Sequence, residues 1–109
     1  PILQEGVPRV AKIEGCLLPR PLIKVTASQL AFNTDCIQVP ANTPLRFRFD
    51  NRDPVVHIFT IVKLGDWELA FELGPQTVLR RESEPIEPGS YIFRCGIHPE
   101  TMRGTLEAV

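Results

Sequence analysis

A chain of 109 residues with 43% of them in the hydrophobic set suits a single soluble globular domain, and it can bury enough surface to fold without a metal or several disulfides. Lys and Arg total 12 against 13 for Asp and Glu, so the formal charge of -1 offers no overall basic field for nucleic acid or an anionic membrane. No apolar run approaches the ~20 residues needed to span a bilayer, and Pro1–Gly6 lacks the features of a secretion signal; a start at Pro1 leads us to expect a processed product.

Eleven prolines and seven glycines separate short runs rich in Val, Ile, Phe and Thr, which predicts many short strands rather than long helices. Leu22–Ala27 is the first strand candidate. Cys36–Val39 is the next, divided by Pro40-Ala-Asn-Thr-Pro44 from a segment in which Leu45, Phe47 and Phe49 alternate with Arg46, Arg48 and Asp50. That period of two marks a strand with one buried face. Ile58–Val62, directly after His57, is nearly continuous in apolar residues, as in a strand buried on both faces or central in its sheet. Asp66–Leu73 carries Trp67, Leu69, Ala70 and Leu73 at a spacing that predicts a helical turn or loop. Arg80, Arg81 and Glu82 read as a solvated strand face, and Trp67 as core or loop packing. Glu87-Pro-Gly-Ser90 has the proline and glycine of a type II turn. The turn feeds a strand in which Tyr91, Phe93 and Cys95 alternate with Ile92 and Arg94, and Thr105–Val109 closes the series. No internal repeat or break in composition marks a second domain.

Chemistry concentrates in Cys95-Gly-Ile-His98-Pro-Glu-Thr-Met102, at the end of one predicted strand and before the last. A strand ending at Cys95 can point its sulfur inward at the rim of the core, and the loop can turn His98 and Met102 toward the same point. The chain's other imidazole, His57, stands 38 residues upstream at the start of an apolar run, where it can lie at the edge of an adjacent strand. Taken singly, a histidine among apolar residues is usually structural, a lone methionine is usually core, and a free cysteine is usually a buried hydrophobe. Together, two imidazoles, a thiolate and a thioether form the set that binds copper in a trigonal arrangement with a weak axial methionine. Soft sulfur favours Cu(I), nitrogen tolerates Cu(II), and a geometry between the two preferences keeps reorganisation small. Structural zinc sites usually bring paired Cys or His at both ends, and catalytic ones keep a place for water.

Two motifs, Phe49-Asp-Asn-Arg-Asp-Pro-Val-Val-His57-Ile-Phe and Glu87-Pro-Gly-Ser-Tyr-Ile-Phe-Arg-Cys-Gly-Ile-His-Pro-Glu-Thr-Met-Arg-Gly-Thr-Leu106, resemble those of the cupredoxins, the small blue copper proteins of the plastocyanin and azurin superfamily. The resemblance runs from about Leu22 to Val109. It implies an all-β fold, an antiparallel Greek-key β-sandwich, with one copper per chain held by His57, Cys95, His98 and Met102. Residues 1–21 then form an N-terminal extension and residues 22–109 the copper-binding domain. The chain departs from the family in having Ile58 where an Asn often follows the first His. Its Cys–His gap is like that of plastocyanins and amicyanins, while the three residues between His98 and Met102 fall between the loop lengths of those two groups.

With Cys95 committed to metal, Cys16 and Cys36 are left as an even pair, either two buried thiols or a disulfide. A disulfide would accord with an oxidising, extracytoplasmic and most naturally periplasmic location, with any membrane anchor outside this chain. The function expected from the resemblance is that of a monomeric carrier passing single electrons between redox proteins such as a cytochrome and a membrane oxidase or reductase. A copper chaperone or sensor and a structural module without redox activity are the alternatives. An enzyme is not expected, because the four donors fill the metal and no nucleophile–base pair is apparent. The exchange route would be the edge of His98, rimmed by Ile97, Pro99 and Pro54, since His57 leads into an apolar run and should be covered.

Overall fold

The computed structural model describes residues 16–17, 22–63, 67–98 and 100–109. Its strands are β1 (Ile23–Ser28), β2 (Ala31–Phe32), β3 (Cys36–Val39), β4 (Arg46–Asn51), β5 (His57–Val62), β6 (Glu68–Leu73), β7 (Thr77–Glu82), β8 (Gly89–Cys95) and β9 (Arg103–Ala108). They form a four-stranded sheet in the order β2-β1-β4-β7 and a five-stranded sheet in the order β3-β9-β8-β5-β6. The two sheets make a β-sandwich, as the resemblance to the cupredoxins implies, from the short strands that the alternating patterns predict. Antiparallel pairs dominate, but β1 runs parallel to β4 and β3 parallel to β9. The chain crosses to the opposite sheet between β2 and β3 and returns between β3 and β4, and tight hairpins cannot join strands that meet in the same direction.

Alternation converts directly into a core. Ile23 and Val25 of β1, Phe47 and Phe49 of β4, Phe59 and Ile61 of β5, Tyr91 and Phe93 of β8, and Leu106 of β9 are all buried. Phe49 meets Phe59 across the sheets with ring centroids 5.1 Å apart, and Phe59 stacks on Phe93 at 5.4 Å. Each such ring contributes about 1.5–3 kcal/mol by leaving water. The copper-candidate end of the sandwich is built directly on this aromatic layer, because Phe59 is paired in register with Cys95.

One sequence reading is corrected. Where a helical turn or loop was predicted over Asp66–Leu73, residues Glu68–Leu73 are strand β6, while Asp66 lies outside the described residues. The helical spacing of Trp67, Ala70 and Leu73 omits Phe71, and the set Leu69, Phe71 and Leu73 turns inward at a period of two. Pairing of Phe59 with Phe71 and Ile61 with Leu69 decides the conformation. Trp67 is exposed and packs edge-on against Tyr91, with centroids 5.4 Å apart. At the predicted turn before β8, Gly89 takes φ of +146°, wider than the ~+80° of a type II turn. The Tyr91 hydroxyl closes this corner by donating to the Glu87 carbonyl at 2.7 Å.

Cys16 and Cys36 form a disulfide. Beside it, Leu17 donates its N–H to the Cys36 carbonyl and accepts from the Gln38 N–H, extending the five-stranded sheet beyond β3. Of the proposed extension over residues 1–21, Cys16 and Leu17 are the described residues, and the rest lies outside them. At the other side of β9, a Cβ on Gly104 would stand 2.5 Å from the Asp35 carbonyl oxygen and would also meet the Phe93 ring, so close strand approach demands glycine there.

Two outcomes follow from these contacts. Cys16→Ser opens a link across a sequence separation of 20 and should lower unfolding free energy by roughly 3 kcal/mol in the chain-entropy model, read as an earlier urea midpoint. An unchanged midpoint would show that the link does not constrain the unfolded chain. Gly104→Ala pushes a methyl into backbone and should cost about 1–3 kcal/mol in the same titration.

Candidate metal centre

Strand pairing brings the donors together. Cys95 is the last residue of β8 and His57 the first of β5; β5 and β8 are antiparallel neighbours, so a strand end and a strand start meet at one end of the sandwich. Phe59 opposes Cys95, which places His57 one side-chain repeat further along the same face. His98 enters from the loop after β8, and Met102 ends that loop directly before β9.

His57, Cys95 and Met102 are fully buried, and His98 is half-buried. The Cys95 Sγ lies 3.7 Å from His57 Nδ1 and 3.7 Å from His98 Nδ1, and all three donor atoms fall within 4.8 Å of one another. A first-row metal with bonds of ~2.0–2.1 Å to nitrogen and ~2.3 Å to sulfur, arranged in a trigonal plane, separates nitrogen from sulfur by about 3.8 Å. The cluster therefore has the spacing of a trigonal metal cage as it stands. The two imidazole rings meet nearly edge to face, with centroids 5.2 Å apart. Met102 packs with Cys95, Ala27 and Phe32 in a small apolar cluster, which keeps water from that side.

The backbone fixes the loop. The Cys95 N–H donates to the Met102 carbonyl at 2.8 Å, and the Met102 N–H donates to the His98 carbonyl at 3.1 Å. Gly96 N–H donates to the Ile58 carbonyl at 3.1 Å, and Ile58 N–H points at Cys95 Sγ at 3.5 Å. The loops carrying His57 and Cys95 are thus tied through the main chain of residue 58, which any side chain there would leave intact. Ile58 in place of Asn consequently does not leave the two loops unconnected.

Two polar residues that sequence reading did not single out complete the support. Asn51, buried at the end of β4, donates from Nδ2 to the carbonyls of Val55, Leu73 and Gly74, and its Oδ1 accepts from the Asp53 N–H. It fastens the segment before His57 to the corner after β6. Asp53 is also buried, and its carboxylate lies 2.7 Å from His57 Nε2. Burial pushes the Asp53 pKa up, but hydrogen bonds from His57, Leu30 and Gln29 more than offset this and hold it below the ordinary carboxylate value. The only sequence signal for either residue is its place in the loop leading to His57, since isolated polar residues have no period.

Of the apolar rim expected around His98, Ile97 is about half exposed and Pro54 is exposed, while Pro99 lies outside the described residues. Leu30 and Val55 are further exposed apolar residues on loops at this end. A groove of about 560 Å³ lies elsewhere, lined by Lys63, Trp67, Tyr91 and Arg94 among others, and touches none of the four candidate donors.

Comparison with known proteins agrees with this fold. Residues 18–108 match the family described as Cupredoxin-like domain. Auracyanin B superposes with a TM-score of 0.69 at 24% identity, covering 81% of this chain and 88% of its own. Auracyanin A, a "blue" copper protein from the green thermophilic photosynthetic bacterium Chloroflexus aurantiacus, gives 0.70 at 18% identity, covering 81% and 98%. A copper-containing nitrite reductase from Thermus scotoductus gives 0.60 at 21% identity over 81% of this chain, but over 22% of its own. No curated protein sequence matches the chain significantly.

Proposed function

The chain belongs to the cupredoxin-like domain family, and from that premise we propose that it is a type 1 copper protein that carries single electrons between redox partners. The observation that carries this reading is the buried Sγ of Cys95 standing 3.7 Å from the Nδ1 of each of two histidines. In it His57, Cys95, His98 and Met102 would hold one copper. Copper bound there would supply a one-electron couple. The protein's own part is to keep the donors at fixed spacing, so that little rearrangement accompanies each change of charge.

Several features favour a carrier over the other functions available to the family. The chain aligns with less than a quarter of the nitrite reductase, so likeness to that enzyme concerns one of its fold units. The donors are buried and tied by backbone hydrogen bonds, whereas a chaperone needs a site that opens for exchange. Half-buried His98 gives the metal an edge toward solvent, and exposed Ile97 beside it offers an apolar contact for brief docking. The partners are redox proteins, and the protein acts as a monomer in an extracytoplasmic, periplasmic space, where the Cys16–Cys36 disulfide would persist. Among the described residues no helix is long and apolar enough to cross a membrane.

The purified protein loaded with copper should bind one equivalent, show intense sulfur-to-copper absorption and bleach reversibly on reduction. Cys95→Ser replaces a thiolate with a hydroxyl and should abolish that absorption; colour and copper content that survive it would refute the ligand assignment. Met102→Gln should keep the copper and lower the potential, and an unchanged potential would make Met102 packing alone.

Docking is tested separately. Ile97→Asp should slow electron exchange with the native partner at least several-fold while leaving the visible spectrum nearly unchanged. An exchange rate equal to that of the parent would place the docking surface elsewhere.

A further inference from the structure

A carboxylate buried four residues before a candidate metal-donor histidine calls for a reason. Asp53 is 7% exposed, and its two oxygens receive three donors. Oδ1 accepts the Gln29 N–H at 2.6 Å, while Oδ2 accepts the Leu30 N–H at 3.0 Å and lies 2.7 Å from His57 Nε2. An ionised carboxylate can only accept, so the short contact to His57 requires the proton on Nε2. In the neutral ring the lone pair is then on Nδ1, the nitrogen that faces Cys95 Sγ.

We propose that Asp53 is a positioning residue for the metal centre: its carboxylate locks His57 in the Nε2–H tautomer with Nδ1 free for copper, and its negative charge, set against that ring, lowers the reduction potential. The inference rests on the copper-carrier reading for its second half only. An acceptor on the remote nitrogen orients a ligating imidazole and raises its basicity. A fixed anion one imidazole away from the metal favours the more highly charged Cu(II) state, and burial keeps water from screening it.

The same carboxylate also holds a strained turn. Gln29 and Leu30, between β1 and β2, have φ of +55° and +59°, a conformation that costs a non-glycine residue roughly 1–2 kcal/mol. Asp53 receives the N–H groups of both. A purely structural reading would stop there, with Asp53 serving the turn and touching His57 incidentally. The two roles respond to different substitutions, because glycine relieves the turn without altering the charge beside His57.

Nitrogen-15 spectra of the metal-free parent at mildly alkaline pH should show His57 protonated on Nε2 and bare on Nδ1; a ring protonated on Nδ1 and bare on Nε2 would overturn the positioning role whether or not the protein ever binds copper. In the copper-loaded protein, Asp53→Asn should raise the potential by a shift equivalent to about a tenfold change in the relative affinity for Cu(II) and Cu(I), which is about 59 mV for one electron. It should also lower the unfolding midpoint. Adding Leu30→Gly should restore the midpoint and leave the potential raised, and this double variant supplies the measurement if Asp53→Asn alone does not fold. A potential equal to that of the parent in a variant that keeps its blue absorption would overturn the electrostatic role. Failure of the parent to take up copper would refute the carrier reading instead, and the tautomer measurement would still decide the first half.

Discussion

The site depends on the registered pairing of β5 with β8. Antiparallel strands place the start of one beside the end of the other, and the Phe59–Cys95 register fixes how far His57 stands from the thiolate. A slip of one residue would turn Cys95 to the outer face and Ile92 and Arg94 into the core, at a cost set by the buried Phe93 and Tyr91. The hydrophobic effect therefore enforces a donor spacing that the weak interactions between imidazole and thiol could not. The donor spacing is a by-product of packing the phenylalanine layer beneath it.

Above that layer, polar groups set orientation. Asn51 and Asp53 are two residues apart at the end of β4; they share one hydrogen bond, and between them their side chains accept or donate six more to three segments, Gln29–Leu30, Val55–His57 and Leu73–Gly74. Buried groups of this kind are costly when left unsatisfied, and here every contact is directed at a loop that borders the site. The strained Gln29–Leu30 turn is one of these loops. Its positive φ angles are tolerated because a carboxylate collects both N–H groups, so the conformation of the turn and the orientation of His57 share one anchor.

The sequence reveals what is periodic and clustered. Alternation at Leu45–Asp50 and Tyr91–Cys95 locates β4 and β8 to within a residue or two, and the crowding of Cys95, His98 and Met102 identifies the loop between β8 and β9. Alternation also identifies β6 once Phe71 is counted, but a short segment with Trp67, Ala70 and Leu73 fits both periods, and only its pairing with β5 decides between them. Asn51 and Asp53 were not legible as supports. A single Asp in an Asp-Pro pair looks like an ordinary turn residue until the fold brings Gln29, Leu30 and His57 around it, and contacts across 24 residues leave no mark on local pattern.

In the proposed carrier, the docking surface and the metal cage are built from the same loops. Exposed Leu30 sits on the turn held by Asp53, exposed Val55 lies between Asp53 and His57, and exposed Ile97 lies between Cys95 and His98. A partner that touches these side chains touches segments whose backbones are fixed by the site's own hydrogen bonds, among them Leu30 N–H to Asp53, the Val55 carbonyl to Asn51 and the Cys95 N–H to Met102. Rigidity therefore serves two ends at once. In the proposed carrier it would limit how far the donors move when the metal changes charge, and it would present a docking surface that need not be ordered on each encounter, which spares a short-lived complex the entropy of loop fixation.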